Sequence, residues 1–115
     1  MKTIDLGWGG KNLQAGAETE YTFDFEGKGF VVRGEANKAD ESMKESELEV
    51  EIFVDGELYE QTLMPTAFSK RKHEVVWKYN MPDGLHQVKV VLKNPVKGYV
   101  LHMGSVLIYG PEPAV

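Results

Sequence analysis

Apolar residues recur at every second position along most of this chain, the period of a strand with one buried face. Tyr21, Phe23 and Phe25 alternate with Thr22, Asp24 and Glu26, and a Gly27-Lys28-Gly29 turn leads into a β-rich run at residues 30–33. Residues 35–47 are polar and predict a long solvated loop holding at most a helical turn. Leu48, Val50, Ile52 and Val54 make the clearest strand. Asp55-Gly56 follows it, a pair whose tolerance of positive φ suits a two-residue hairpin turn. The return strand covers residues 58–63 and stops at Pro65. Two further strands, 73–79 and 86–92, flank Pro82-Asp83-Gly84. Asn94-Pro95 then breaks the chain, residues 98–109 supply one long strand or two short ones, and Ile4 and Leu6 add a short one at the start. Many short strands, frequent turn residues and no amphipathic stretch of ~10 residues predict an all-β fold, an antiparallel β-sandwich.

Register decides what Trp77 does. If residues 73–79 and 86–92 form a hairpin that pairs Tyr79 with His86, Trp77 faces Val88 and Val75 faces Val90, and all four belong to the core. A shift of one would turn Val76 inward together with Glu74 and Lys78, at a cost of several kcal/mol for two unpaired buried charges. The first register is the expected one, with Trp77 packed inside.

At 115 residues the chain fits one domain, residues 1–115, with 1–18 as an N-terminal segment and 110–115 as a tail. A chain of this size buries enough surface to fold without metals or disulfides, and it contains no cysteine. That excludes thiolate chemistry and Cys-ligated zinc. Acids outnumber bases 15 to 6 through residue 60, and bases outnumber acids 7 to 3 after it. The single basic cluster, Lys70-Arg71-Lys72, is too small for a nucleic-acid interface, which draws most of its affinity from phosphate neutralisation. No apolar run reaches the ~20 residues of a membrane span. The first residues lack the apolar stretch of a signal peptide, so an exported parent protein would carry its signal elsewhere.

Catalysis finds no support in the residue pattern. None of Ser42, Ser46, Ser69 and Ser105 lies in a Gly-x-Ser-x-Gly elbow. His102 and Ser105, three apart on a predicted strand, should point to opposite faces. The acids at 35–60 alternate outward or sit in a loop, as a solvated face does. His73, His86 and His102 lack metal-ligand spacing, and no EF-hand pattern occurs. No organic cofactor is expected. Sandwich loops can supply carbonyl and carboxylate oxygens to a structural calcium ion, and that remains the one metal open to this chain.

Aromatic side chains are the remaining source of function. A sugar ring can stack its C–H face on Trp or Tyr while polar neighbours bond its hydroxyls. The candidates are Trp8, Trp77, Tyr79, Tyr59, Tyr99 and Tyr109, with Arg33 and the histidines as polar partners. Trp8 stands in Gly7-Trp8-Gly9-Gly10, where glycines offer little local packing. It is either an exposed anchor or folds back onto the sandwich.

The stretch from Tyr21 to Tyr109 resembles the galactose-binding-like jelly-roll modules appended to bacterial carbohydrate-active enzymes. The matching features are the run Phe23-Asp24-Phe25-Glu26-Gly27-Lys28-Gly29-Phe30, the strand end Val54-Asp55-Gly56 and the turn Met81-Pro82-Asp83-Gly84-Leu85-His86. Val88, Val90 and the closing strand 106–109 fit as well. The resemblance implies a jelly-roll sandwich and a non-catalytic accessory role. Its partner would be a carbohydrate or a neighbouring glycan-processing hydrolase, in the periplasm or outside the cell. It carries no sugar-contacting motif onto particular residues. Trp8, Trp77, Tyr79 and Arg33 are therefore candidates on side-chain chemistry alone. The alternative is a domain that packs against a hydrolase without binding sugar itself.

Overall fold

A computed structural model describes residues 2–6, 10–70 and 72–110. Among the described residues, nine strands form two antiparallel sheets: β1 (Lys2–Asp5), β2 (Lys11–Gln14), β3 (Glu20–Gly27), β4 (Gly29–Lys38), β5 (Glu47–Val54), β6 (Glu57–Pro65), β7 (Glu74–Lys78), β8 (Gly84–Leu92) and β9 (Tyr99–Tyr109). One 3₁₀ turn, Phe68–Lys70, lies between β6 and β7. The five-stranded sheet runs β1-β9-β4-β7, with β2 pairing along β9 beyond β1, and the four-stranded sheet runs β3-β8-β5-β6. From β2 onward every connection except the β5–β6 hairpin passes from one sheet to the other. The result is a jelly-roll β-sandwich.

The alternation visible in the sequence places the core. Phe23 and Phe25 from β3, Val50 and Ile52 from β5, and Val88 and Val90 from β8 meet Phe30, Val32, Val106 and Ile108 of the other sheet. The Asp55-Gly56 turn forms as expected, with both residues at positive φ (52° and 85°). Asp55 also ties this turn to β8. Its backbone N–H donates to the Gln87 carbonyl at 2.8 Å, and its carboxylate accepts from the Gln87 N–H at 2.8 Å.

That carboxylate also meets His86. Nδ1 lies 2.7 Å from Asp55 Oδ2 and Nε2 lies 2.6 Å from the Pro82 carbonyl. Both partners can only accept, so satisfying both requires an imidazolium that donates twice. The Asp55 hydrogen bond, then the Pro82 carbonyl, raise the His86 pKa above its ordinary 6.5. His86 in turn, then the Gln87 N–H, hold Asp55 below 3.8. A raised histidine contributes stability in full below its unfolded pKa and loses it as pH climbs through the folded one. A depressed carboxylate contributes above its unfolded value and fails as pH falls. The pair is therefore expected to stabilise most between roughly pH 4 and 6.5. Thermal melts of wild type and His86→Ala across pH should show their largest separation in that window and converge on the alkaline side. A separation that grew with alkalinity would contradict the double-donor geometry.

Three expectations are corrected. Strands β7 and β8 form no hairpin: β7 pairs with β4, Trp77 lying opposite Val31, while β8 pairs with β3 and β5. The two follow each other in the chain but belong to different sheets, so the Tyr79–His86 register does not exist. Trp77 is accordingly outside the core, 51% exposed. Second, β4 continues through Lys38, and the loop is confined to residues 39–46. Ala36, fully buried opposite Leu101, carries the inward face, and its polar neighbours look outward. Third, the register slips where β9 passes Arg33 and Gly34, so Met103 and Val106 both point inward. His102 and Ser105 thus share the outer face. His102 Nδ1 is held there by Asn12 Oδ1 at 2.7 Å.

Candidate functional site

Strand β7 is the edge of the five-stranded sheet and β6 the edge of the four-stranded one. The two edges run beside each other, joined through the 3₁₀ turn, and the Tyr59 hydroxyl of β6 donates to the Trp77 carbonyl of β7 at 3.1 Å. Cross-strand partners share a face, so Trp77, Val31 and Leu107 form one row on the outer side of the sheet. Val31 is buried in that row. It gives the indole a firm floor while the indole itself stays open to solvent.

The next row holds two tyrosines. Tyr109 lies opposite Gly29, and Tyr79 follows the end of β7. Their rings meet edge to face with centroids 5.2 Å apart. Gly29 allows this closeness: a Cβ there would come within 2.6 Å of the Lys78 carbonyl and 3.2 Å of the Tyr79 Cα. Tyr79 is 49% exposed.

On its other side, Trp77 borders a groove of about 450 Å³ between β6 and β7. Glu60, Gln61 and Thr62 line it from β6, with Lys72, His73 and Glu74 across from them. Lys72 Nζ donates to Thr62 Oγ1 at 3.2 Å and spans the groove. His73 also borders a smaller recess of about 170 Å³ that holds Arg33, Glu35 and His102. Its Nδ1 stands 3.9 Å from the Glu35 carboxylate.

Of the residues singled out from sequence, Trp77, Tyr79 and Tyr109 thus form one aromatic edge, with Trp77 and Tyr79 exposed and Tyr109 half-buried, and Arg33 lies on the same sheet face, linked through His73. Tyr59 sits around the corner beneath Lys78, whose ammonium is 4.5 Å from the ring centre. Tyr99 is apart from all of these, its hydroxyl donating to the Lys44 carbonyl at 2.7 Å in a packing role. Trp8 lies outside the described residues. Gln61, Thr62 and Lys72 were not legible as site residues. The signal was a β6 sequence without alternation, exposed along residues 57–61 because β6 is a sheet edge.

An exposed indole beside carboxylate, amide, hydroxyl and ammonium groups offers one apolar platform and both donors and acceptors. Those are the means of holding a polyhydroxylated ring. The hydroxyl of the groove, on Thr62, is engaged by the Lys72 ammonium rather than by a base.

No family model matches the sequence, and no curated protein does so either. Solved structures do match. The CBM36-1 domain of a multidomain xylanase from the hindgut metagenome of Trinervitermes trinervoides aligns over 98% of this chain and 89% of its own, with a TM-score of 0.57 and 14% identity. This chain has the fold of a CBM36 module. A second such module, solved in complex with calcium and xylotriose, aligns over 93% and 87% of the two chains, with a TM-score of 0.52 and 11% identity. At these identities the likeness to CBM36 is one of architecture.

The calcium of the second CBM36 structure can be tested against the residues here. Among the described residues no three His, Asp or Glu side chains converge as a ligand group. A structural calcium ion here would therefore draw on backbone carbonyls for most of its ligands, as sandwich loops can supply.

Proposed function

We propose that the chain is a non-catalytic carbohydrate-binding module that takes a neutral glycan chain along the β6–β7 groove, with Trp77 as its platform. The observation that carries this reading is the half-exposed indole, backed by Val31 and flanked by Gln61, Thr62 and Glu74. Tyr79 and Tyr109 extend the apolar surface on one side and Arg33 the polar surface on the other. Glu60 and Glu74 can accept from sugar hydroxyls but oppose uronic acids, which favours neutral sugars. The CBM36 module captured with xylotriose makes xylo-oligosaccharides the first ligands to try. As in the xylanase, the partner within the parent protein is a catalytic domain, working outside the cell where polysaccharide is found.

Calorimetry and tryptophan emission titrations with xylo-, cello- and manno-oligosaccharides test the proposal. Saturable heat and a changed emission with one of them are expected. A flat response to every glycan would favour the second reading, a domain that packs against a neighbouring hydrolase. That reading draws on the exposed Leu58 and Leu85.

A further inference from the structure

The loop between β4 and β5 is closed on itself and tied down at both ends. The Asp40 carboxylate accepts from the Ser42 N–H and hydroxyl, each at 2.9 Å, and the Met43 N–H donates to the Asp40 carbonyl at 3.0 Å. At the start of the loop, the Ala39 N–H donates to the Gly98 carbonyl at 2.7 Å. At its end, the Ser46 N–H donates to Thr66 Oγ1 at 2.9 Å, and Thr66 is 1% exposed.

Into this loop β4 sends its last side chain, Lys38, which is 10% exposed. Its ammonium meets three oxygens: the carbonyls of Met43 at 3.2 Å and Glu41 at 3.4 Å, and the Glu45 carboxylate. The other Glu45 oxygen accepts from the Thr66 hydroxyl at 3.4 Å. Backbone carbonyls and a carboxylate converging from one short loop are the donor set that a hard cation takes. An ammonium has three N–H donors, one for each oxygen.

We infer that Lys38 serves as the resident cation of the 39–46 loop, occupying with a tethered ammonium the place a structural metal ion would take, so that the order of this loop does not depend on calcium. The lysine is delivered in register by strand pairing, Lys38 opposite Tyr99, and needs no free ion to be bound. Without its charge, the Met43 and Glu41 carbonyls and one Glu45 oxygen would each lose the donor that Lys38 gives them, and that donor would have to be replaced from water. The inference stands on the loop alone and holds whether or not a sugar binds.

The test compares wild type with Lys38→Met, which keeps the stem and removes the charge. Backbone amide shifts and hydrogen exchange are recorded in millimolar calcium and in EDTA. In wild type the amides of residues 39–46 should keep the same shifts and protection in both. Lys38→Met should lose protection at Ala39, Met43 and Ser46, with a melting temperature lower by about 5 °C. A saturable calcium-dependent shift of the wild-type 39–46 amides would overturn the inference. So would a folded Lys38→Met variant as protected as wild type. If that variant fails to fold, the wild-type comparison alone decides.

Discussion

Replacing Trp77 with alanine is expected to weaken glycan binding roughly thirtyfold while moving the melting temperature by no more than a degree or two. A sugar covering roughly 80 Å² of indole, at about 25 cal/mol per Å², contributes about 2 kcal/mol, and 1.4 kcal/mol is a factor of ten. Little stability should be lost because Trp77 is on an edge strand and half exposed, and the backbone carbonyl it lends to Tyr59 survives the substitution. Calorimetric titration beside a thermal melt separates the two effects. Affinity unchanged in a folded Trp77→Ala variant would move the platform elsewhere, with the pair of Tyr79 and Tyr109 as the next surface to truncate. A large drop in melting temperature would show the indole to be a structural cover for Val31.

Phe30→Ala is the opposite case, with a large loss of stability expected and no direct contact with a ligand. Phe30 is fully buried on β4 and meets two rings of the facing sheet, Phe23 with centroids 6.1 Å apart and Phe25 at 5.6 Å. Together these rings fill the space between the sheets at the end where the Gly27–Gly29 turn joins them. Truncating a buried phenylalanine costs about 3–5 kcal/mol through lost burial and an unfilled cavity. A domain of ordinary stability has roughly 5–15 kcal/mol in all. Urea unfolding should show a sharply lowered midpoint, and Phe30→Leu, which fills most of the volume, should recover the greater part. A loss below about 1 kcal/mol for the alanine variant would mean that the sheets close over the gap, and the three rings would not be the clamp described.

Much of this architecture was readable from the chain because it depends on local chemistry. Alternation at Tyr21, Phe23 and Phe25 and at Leu48, Val50, Ile52 and Val54 selects strands, since only extended backbone puts every second side chain on one face. Asp55-Gly56 selects the hairpin because both residues accept positive φ. Lys11–Gln14 escaped notice because four residues with one buried leucine, Leu13, carry too little pattern. The end of β4 escaped because the small Ala36 is its one apolar residue between Arg33 and Lys38.

The candidate site was legible in its residue types but not in its arrangement. Trp77, Tyr79 and Arg33 could be named from side-chain chemistry. Which face Trp77 occupies depends on whether β7 pairs with β8, its neighbour in sequence, or with β4, forty-odd positions earlier. Alternation is the same in both cases. The choice is made by which buried face each strand completes, and that is a property of two sheets packed together. The slip at Gly104 that unites His102 with Ser105, and the meeting of the β6 and β7 edges that forms the groove, are tertiary in the same sense. Local chemistry determined that this chain is a sandwich carrying aromatic and polar candidates. Long-range pairing decided that Trp77 is outside, because a strand's period specifies two faces and only its partners specify which of them meets water.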